Sequence, residues 1–334
     1  MTKAHGQRGA RTRRVTTLAG LLAAALTASL AAGCTTSDGS RDDGRGQVLP
    51  PSPSERANES LASGEAVLAV KIDNARAARP HTGLNAADIV YVEQVEGGLS
   101  RLMAVYAQQL PKYVGPVRSA RETDLELLRQ FDRPMLAYSG AQRKLEPLID
   151  KAPLQARPAE DKHPAYFRYS KRPSPHNLYL RPHRLMASPP GTDVLTTGFR
   201  FGAAPPGGKA VASQTVRYPA ARFTFTWSRS HDRWLVAMDG KAARTTDGKR
   251  VTAGTVIVQY VKVRASAFHD FLGNNTPYTE TVGAGKARVL RDGLAYDARW
   301  KRPKTTSGTR FTTAAGKPML FQHGQVWVVF AQAR

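Results

Sequence analysis

Asp88-Ile89-Val90-Tyr91-Val92-Glu93-Gln94-Val95-Glu96-Gly97-Gly98-Leu99-Ser100-Arg101-Leu102-Met103-Ala104-Val105-Tyr106 is the stretch from which the fold is read. β-Branched and aromatic residues crowd both sides of Gly97-Gly98, and such runs around a Gly-Gly pair predict a β-hairpin. With a two-residue turn, Gln94 faces Arg101 and Glu96 faces Leu99. Glu96 and Arg101 then share one face as diagonal neighbours, and Glu93 points to the other. Upstream, Ala66 to Ile72 reads as a strand that stops at Asp73-Asn74.

Downstream, Ser119-Ala120-Arg121-Glu122 has the form of a capping box with Ser119 as N-cap and Glu122 at N3. Leu125, Leu128 and Phe131 or Leu127 continue at helical spacing until Asp132-Arg133-Pro134 ends the helix. Met135 to Tyr138 reads as a further strand, and Lys144 to Ile149 as a short helical piece. Pro-rich stretches around 153–158 and 173–190 read as loops. After a break rich in Pro and Gly, the second half reads as strands: Phe223–Trp227, Trp234–Met238, Val256–Val263, 287–291, 295–300, 309–313 and 325–330. Their even spacing predicts a small sandwich or barrel-like module. The expected class is α+β, a mixed α/β N-terminal domain followed by a smaller, mostly-β one. The expected division is 66–190 for the first domain, 191–212 for a linker and 213–334 for the second.

The N-terminus supplies an address. Lys3, Arg8, Arg11, Arg13 and Arg14 precede an apolar run from Leu18 to Ala32, the order of a secretory signal over residues 1–33. A run this short falls below the ~20 residues needed to span a bilayer. Residues 34–65 are rich in Ser, Gly, Asp and Pro and read as a disordered tether, with a reach on the order of 30 Å. Cys34 is the one cysteine of the chain. Two readings are open for it: acylation as a lipid anchor, or cleavage nearby that leaves a free thiol. A lone thiol in an oxidising compartment favours the first.

Removing residues 1–33 takes away five basic residues and no acid. That leaves 44 Lys+Arg against 26 Asp+Glu, a net charge of +18 on a chain that carries +23 in full. Such an excess points to acidic partners such as anionic headgroups or teichoic-type polymers. Arg/Ala-rich usage from a GC-rich genome is the plainer account of part of it. No zinc-ligand spacing, RNA-binding aromatic motif or helix-turn-helix is present, so a nucleic-acid partner is not expected. No metal or cofactor is expected.

Chemistry-bearing residues concentrate at strand ends and at the predicted helix start. Arg118 and Arg121 sit at a helix N-terminus, where cations are unfavourable unless an anion is held there. The alternative is neutralisation by Glu122, Asp124, Glu93 or Glu96. Asp73 ends a strand, and with a glutamate it could serve as an acid–base pair. Cross-strand salt bridging is the plainer account. Pro173 and Pro175 stiffen the loop that carries His176 and Asn177. The candidate ligand-binding set is therefore Asp73, Asn74, Arg79, Glu96, Arg101, Arg118, Arg121, His176 and Asn177, with no catalytic residue assigned.

Several of these motifs stand in a characteristic order: Lys71-Ile72-Asp73-Asn74, Ala78-Arg79-Pro80-His81-Thr82-Gly83-Leu84, Ala87-Asp88-Ile89-Val90-Tyr91 and Glu96-Gly97-Gly98-Leu99-Ser100-Arg101. Gly115-Pro116-Val117-Arg118-Ser119-Ala120-Arg121 and Pro175-His176-Asn177-Leu178-Tyr179 follow, then Val256-Ile257-Val258-Gln259-Tyr260, Trp300-Lys301-Arg302 and Gly324-Gln325-Val326-Trp327. Over about residues 66–334 the pattern resembles the YerB-like bacterial lipoprotein family, a two-part domain of unknown function (DUF3048). Gly254-Thr255 departs from it, since an Asn is expected before the Val-Ile-Val-Gln run. The resemblance implies a lipid-anchored, two-domain protein on the extracytoplasmic face of the cell membrane, and it supplies no catalytic residues. The expected function is binding of an anionic cell-wall polymer, a lipid-linked precursor or a cell-wall synthesis partner. The rivals are an envelope hydrolase or phosphoryl-transfer enzyme, the latter similar only in pattern to the LytR-CpsA-Psr phosphotransferases, and a protein scaffold with no small-molecule site.

Overall fold

Long runs such as Leu68-Ala69-Val70-Lys71-Ile72 and Ile89-Val90-Tyr91-Val92 lack polar alternation, which suits strands covered on both faces. In the computed structural model, which describes residues 66–159, 163–270 and 273–333, every residue of β1 (Leu68–Asp73) is buried. β2 (Ile89–Gln94) is buried except at its last residue. The signal, Cys34 and the tether lie outside the described residues.

The main sheet has 11 strands and is mixed. From the first half come β1, β2, β3 (Ser100–Tyr106), β4 (Met135–Tyr138) and β5 (Gln155–Pro158). A short pair, β6 (Tyr166–Arg168) and β7 (Leu178–Leu180), stands beside them. In the second half, β8 (Ser213–Arg217), β9 (Arg222–Ser228) and β10 (Arg233–Met238) build a separate five-stranded sheet with two short segments. β11 (Thr255–Val261) returns to the main sheet, and β12 (Val263–His269) pairs with β13 (Asn275–Thr279) as a hairpin. β14 (Gly283–Arg291), β15 (Leu294–Arg302), β16 (Arg310–Thr313) and β17 (Val326–Gln332) complete it. The order across the main sheet is β16-β15-β14-β11-β17-β2-β3-β1-β4-β5, with Lys209–Ala210 added beside β15.

The expected self-contained sandwich does not form. β17 lies between β11 and β2 and is parallel to both, so that Val326 pairs with Thr255 on one side and Ile89 on the other. Residues from both halves thereby share one sheet. The fold is mainly β with a few helices, which corrects the balanced α+β expectation. Among the described residues the α-helices are α1 (Glu122–Leu128) and α2 (Glu146–Lys151). α1 is shorter than its apolar periodicity suggested and starts at Arg121, not Ser119. The Arg121 N–H donates to the Asp124 carboxylate at 2.6 Å, whereas the Ser119 hydroxyl lies 3.3 Å from that of Ser139.

Two apolar cores flank the main sheet. On one face Val70, Val92, Leu102 and Trp327 pack against Phe223, Phe225 and Trp234 of the small sheet. On the other, Tyr91, Met103 and Val328 pack against Leu127 and Leu128 of α1 and Ile149 of α2. Fully buried Arg302 fixes α1 in place. Its guanidinium donates to the Glu126 carbonyl at 2.8 Å and the Leu127 carbonyl at 3.3 Å, two of the acceptors a helix C-terminus leaves free. At the departure from the family pattern, Thr255 donates to the Gln322 carbonyl at 3.2 Å and accepts its N–H at 2.9 Å. An Asn amide offers the same donor and acceptor, so the two residue types can fill one role here.

Candidate functional site

The β2–β3 connection is a three-residue turn, Glu96–Gly98, closed by hydrogen bonds between Val95 and Leu99 and between Leu99 and Glu96. Pairing therefore shifts by one residue from the expected register, and Glu93, not Gln94, lies opposite Arg101. Since side chains alternate faces along a strand, the shift moves Glu93 onto the face of Arg101. Asp73 on β1 flanks Arg101 from the other side. Asp73, Arg101 and Glu93 thus form one row across three strands, on the face that α1 covers.

Glu93 is spent on a buried triad. Lys71 Nζ donates to Glu93 Oε2 at 2.7 Å and to Asp124 Oδ1 at 2.6 Å, with all three side chains almost fully excluded from solvent. Burial pushes the Glu93 carboxyl above its usual range despite the Lys71 ammonium, and the Asp124 charge adds to the rise. One ammonium shared by two buried carboxylates leaves an excess negative charge, which favours keeping a proton on the pair.

Asp73 organises the solvent-facing end. Its Oδ2 accepts His176 Nδ1 at 2.7 Å and lies 3.4 Å from Arg118 Nε, while Oδ1 accepts the Ala75 N–H at 3.0 Å. Burial works against ionisation here, but the Ala75 N–H, His176 and Arg118 outweigh it and hold the carboxyl below the usual range. With Nδ1 engaged by Asp73, Nε2 is the ring nitrogen left for a further partner. The Asp73 carbonyl accepts His81 Nε2 at 2.9 Å. Burial lowers the His81 ring to about 4, so it is neutral at ordinary pH.

Arg121 is neutralised by Glu96 in a bidentate pair of 2.6 and 2.9 Å, and Thr276 Oγ1 donates to the same carboxylate at 2.6 Å. Burial opposes ionisation of Glu96, yet Arg121 and Thr276 bring its carboxyl below the usual range. Arg101 differs from its neighbours. It is half-buried, donates to the Ser119 carbonyl at 3.1 Å, and has no carboxylate at ion-pair distance among the described residues. Desolvation, followed by the adjacent charge of Arg121 and then that of Arg118, lowers its guanidinium to about 9, against the pull of Glu96 and Asp73.

The structure thus brings Asp73, Arg101, Arg118 and His176 together, with the Glu96–Arg121 pair alongside. Three sequence candidates serve elsewhere. Asn74 donates to Ser100 Oγ at 2.9 Å and receives Arg79, whose guanidinium also reaches Asp239 Oδ2 at 2.9 Å in the second half. Asn177 accepts from Arg168 across the β6–β7 pair. Two of the acids weighed against the helix-start arginines, Glu93 and Asp124, go instead to Lys71. That lysine carried a usable signal, a cation inside an apolar run long enough to be buried on both faces. Nothing local marked Glu126, which accepts hydrogen bonds from Tyr278, Thr281 and Val282.

The chain belongs to the family described as "Protein of unknown function (DUF3048)": residues 53–194 match its N-terminal domain and 214–328 its C-terminal domain. The Bacillus subtilis (strain 168) protein named "Putative lipoprotein YerB" is 42% identical over 82 residues, covering 24% of this chain and 25% of that protein. The match therefore spans about a quarter of that relative's length. The crystal structure of the YerB protein from Bacillus subtilis superposes with a TM-score of 0.67 at 20% identity, over 80% of this chain and 91% of that one. At that identity the likeness is one of fold. No helix among the described residues is long and apolar enough to cross a membrane.

Proposed function

We propose that this protein is anchored by an acylated Cys34 at the extracytoplasmic face of the cell membrane. There it binds a compact anionic group, such as the phosphate or pyrophosphate of a wall precursor, with Arg101, Arg118 and the Nε2 end of His176. The signal-like N-terminus and the lipoprotein name of a relative support the address. Arg101 carries the binding reading. A guanidinium has five N–H donors, yet this one has a single carbonyl acceptor, loses hydration and sits against two other arginines. An arriving oxyanion would relieve the mutual repulsion and accept forked hydrogen bonds. Acid–base catalysis fits less well, because Asp73 and Glu96 are both held ionised by their neighbours and neither is poised as a general acid.

The test is calorimetric titration of the full chain with inorganic pyrophosphate. Replacing Arg101 and Arg118 together by Ala should weaken binding at least tenfold while the thermal transition stays cooperative. Equal affinity in parent and variant refutes the assignment. The address is checked separately: Cys34→Ser should abolish acyl labelling and shift the protein out of the membrane fraction.

A further inference from the structure

The far end of the main sheet carries a second concentration of positive charge, built from other residues. In the antiparallel set β14-β15-β16, Lys286 pairs with Arg299, Arg288 with Asp297, and Lys301 with Arg310. By the two-residue alternation of strands, Lys286, Arg288, Arg299, Lys301 and Arg310 project from one face, with Asp297 as the single acid among them. Val258, opposite Arg288 on β11, lies on that same face and belongs to the core under the small sheet. The small sheet covers the inner part of the face, and its edge strand β8 marks where cover ends.

Beyond β8 lies a cleft of about 1340 Å³, with Arg217, Gln332 and the Lys262–Glu280 pair on its walls and Tyr260 and Lys286 among its lining. Tyr260 and Lys286 also line a hollow of about 400 Å³ that contains Arg288, Arg299 and Asp297. The two therefore border each other at these residues. Arg79, Arg121, Arg291 and Arg302 each hold several acceptors. By contrast, Lys286, Arg288, Arg299, Lys301 and Arg310 have no ion pair or side-chain hydrogen bond among the described residues. Nε of Arg288 is buried with no partner at all, an unusual condition for a charged donor.

Adjacent strands are ~4.8 Å apart and alternate residues on one strand ~7 Å apart, so neighbouring cations lie within one Debye length of each other at physiological salt. They repel one another, and a multivalent anion would offset that cost while releasing its own counterions. We propose that this groove binds a linear phosphate-bearing polymer laid across β14–β16 and into the cleft beside β8. Concavity favours a chain over a bilayer, because headgroups in a flat plane would meet the exposed rim cations but not the recessed Arg288.

The test uses the full chain with long-chain inorganic polyphosphate and, in parallel, vesicles of phosphatidylglycerol and phosphatidylcholine. Lys286 and Arg299 are exposed cross-strand partners, so replacing both by Ala should leave folding intact. Polyphosphate affinity should fall at least tenfold, and the slope of log K against log salt should become shallower by about 1.5, as expected for two lost phosphate contacts. Lys301→Glu should weaken binding further, and the same losses should appear when Arg101 and Arg118 are already replaced by Ala, which separates this groove from the site near β1. Parent and variants carry the same N-terminus, so differences in vesicle binding report only this surface. Unchanged polyphosphate affinity in the double variant overturns the proposal. So does a loss confined to vesicle binding, which would make the face a membrane contact.

Discussion

His176 Nδ1 lies 2.7 Å from Oδ2 of Asp73, joining a loop after β6 to the last residue of β1 across 103 positions of sequence. The carboxylate is ionised and also lies beside Arg118, so it orients two cationic or donor groups at once. Asp73→Asn separates orientation from simple charge. It removes a negative charge, so general attraction predicts tighter anion binding. If Asp73 instead aims His176 and Arg118, pyrophosphate affinity should fall several-fold despite the added positive charge. Calorimetry gives the sign directly, and tighter binding in the variant would remove Asp73 from the site.

The Lys71–Glu93–Asp124 triad makes a stability prediction. Lys71→Met leaves two carboxylates buried without a cation and should cost on the order of 3–5 kcal/mol in denaturant unfolding. Glu93→Gln keeps an acceptor for Lys71 and removes the excess charge. Because burial raises the Glu93 carboxyl in the folded state, its contribution to stability is complete below the unfolded value and declines as pH rises through the folded one. The Gln variant lacks that decline, so its stability relative to the parent should improve as pH rises. Asp124→Asn should be the more damaging change, since that carboxylate also accepts the Arg121 N–H at the start of α1.

His81 runs the other way with pH. Its ring titrates at about 4 when folded against 6.5 when free, so the stability tied to the neutral ring is present above 6.5 and is lost as pH falls toward 4. By pH 5 the loss amounts to about 2 kcal/mol. Glu93 gains over part of the same range, which flattens the profile of the parent. His81→Gln can still donate to the Asp73 carbonyl but cannot be charged. Urea unfolding at pH 7 and pH 5 should show the parent losing about 2 kcal/mol more than the variant on acidification. Identical pH slopes would mean that the ring is not held neutral.

These residues also mark how far the sequence could be read. Strand positions were legible because runs such as Leu68–Ile72 and Ile89–Val92 are too apolar to lie anywhere but between two covered faces. The hairpin was legible, but its register was not, because Gly-Gly admits two-residue and three-residue turns alike. That single step decided whether Glu93 or Gln94 met Arg101. The helix start was misplaced for a nonlocal reason: Asp124 is held by Lys71, 53 residues away, and so is available to cap Arg121 in place of Ser119. Insertion of β17 between β11 and β2 left no local trace, since parallel strands are joined by whatever chain intervenes. Arg101 was named from its motif, but its lack of a carboxylate partner emerged only from the tertiary arrangement.

Gly97 and Gly98 provide the sharpest check on that turn, because both are left-handed but only one is crowded. Gly97 has φ of 65° and no atom within 4 Å of where a Cβ would stand. Gly98 has φ of 68°, and an added Cβ would sit 2.5 Å from Pro219 Cβ, while its carbonyl accepts the Ala220 N–H at 2.9 Å. Gly97→Ala therefore meets backbone strain alone and should cost about 1 kcal/mol. Gly98→Ala adds a clash with the β8–β9 connection and should cost at least twice as much. It should also displace Glu96 and thereby loosen its hold on Arg121. A calorimetric melt of both variants reads the difference. Equal destabilisation would imply that the turn is free of Pro219, and with it that the hairpin tip does not brace the two sheets against each other.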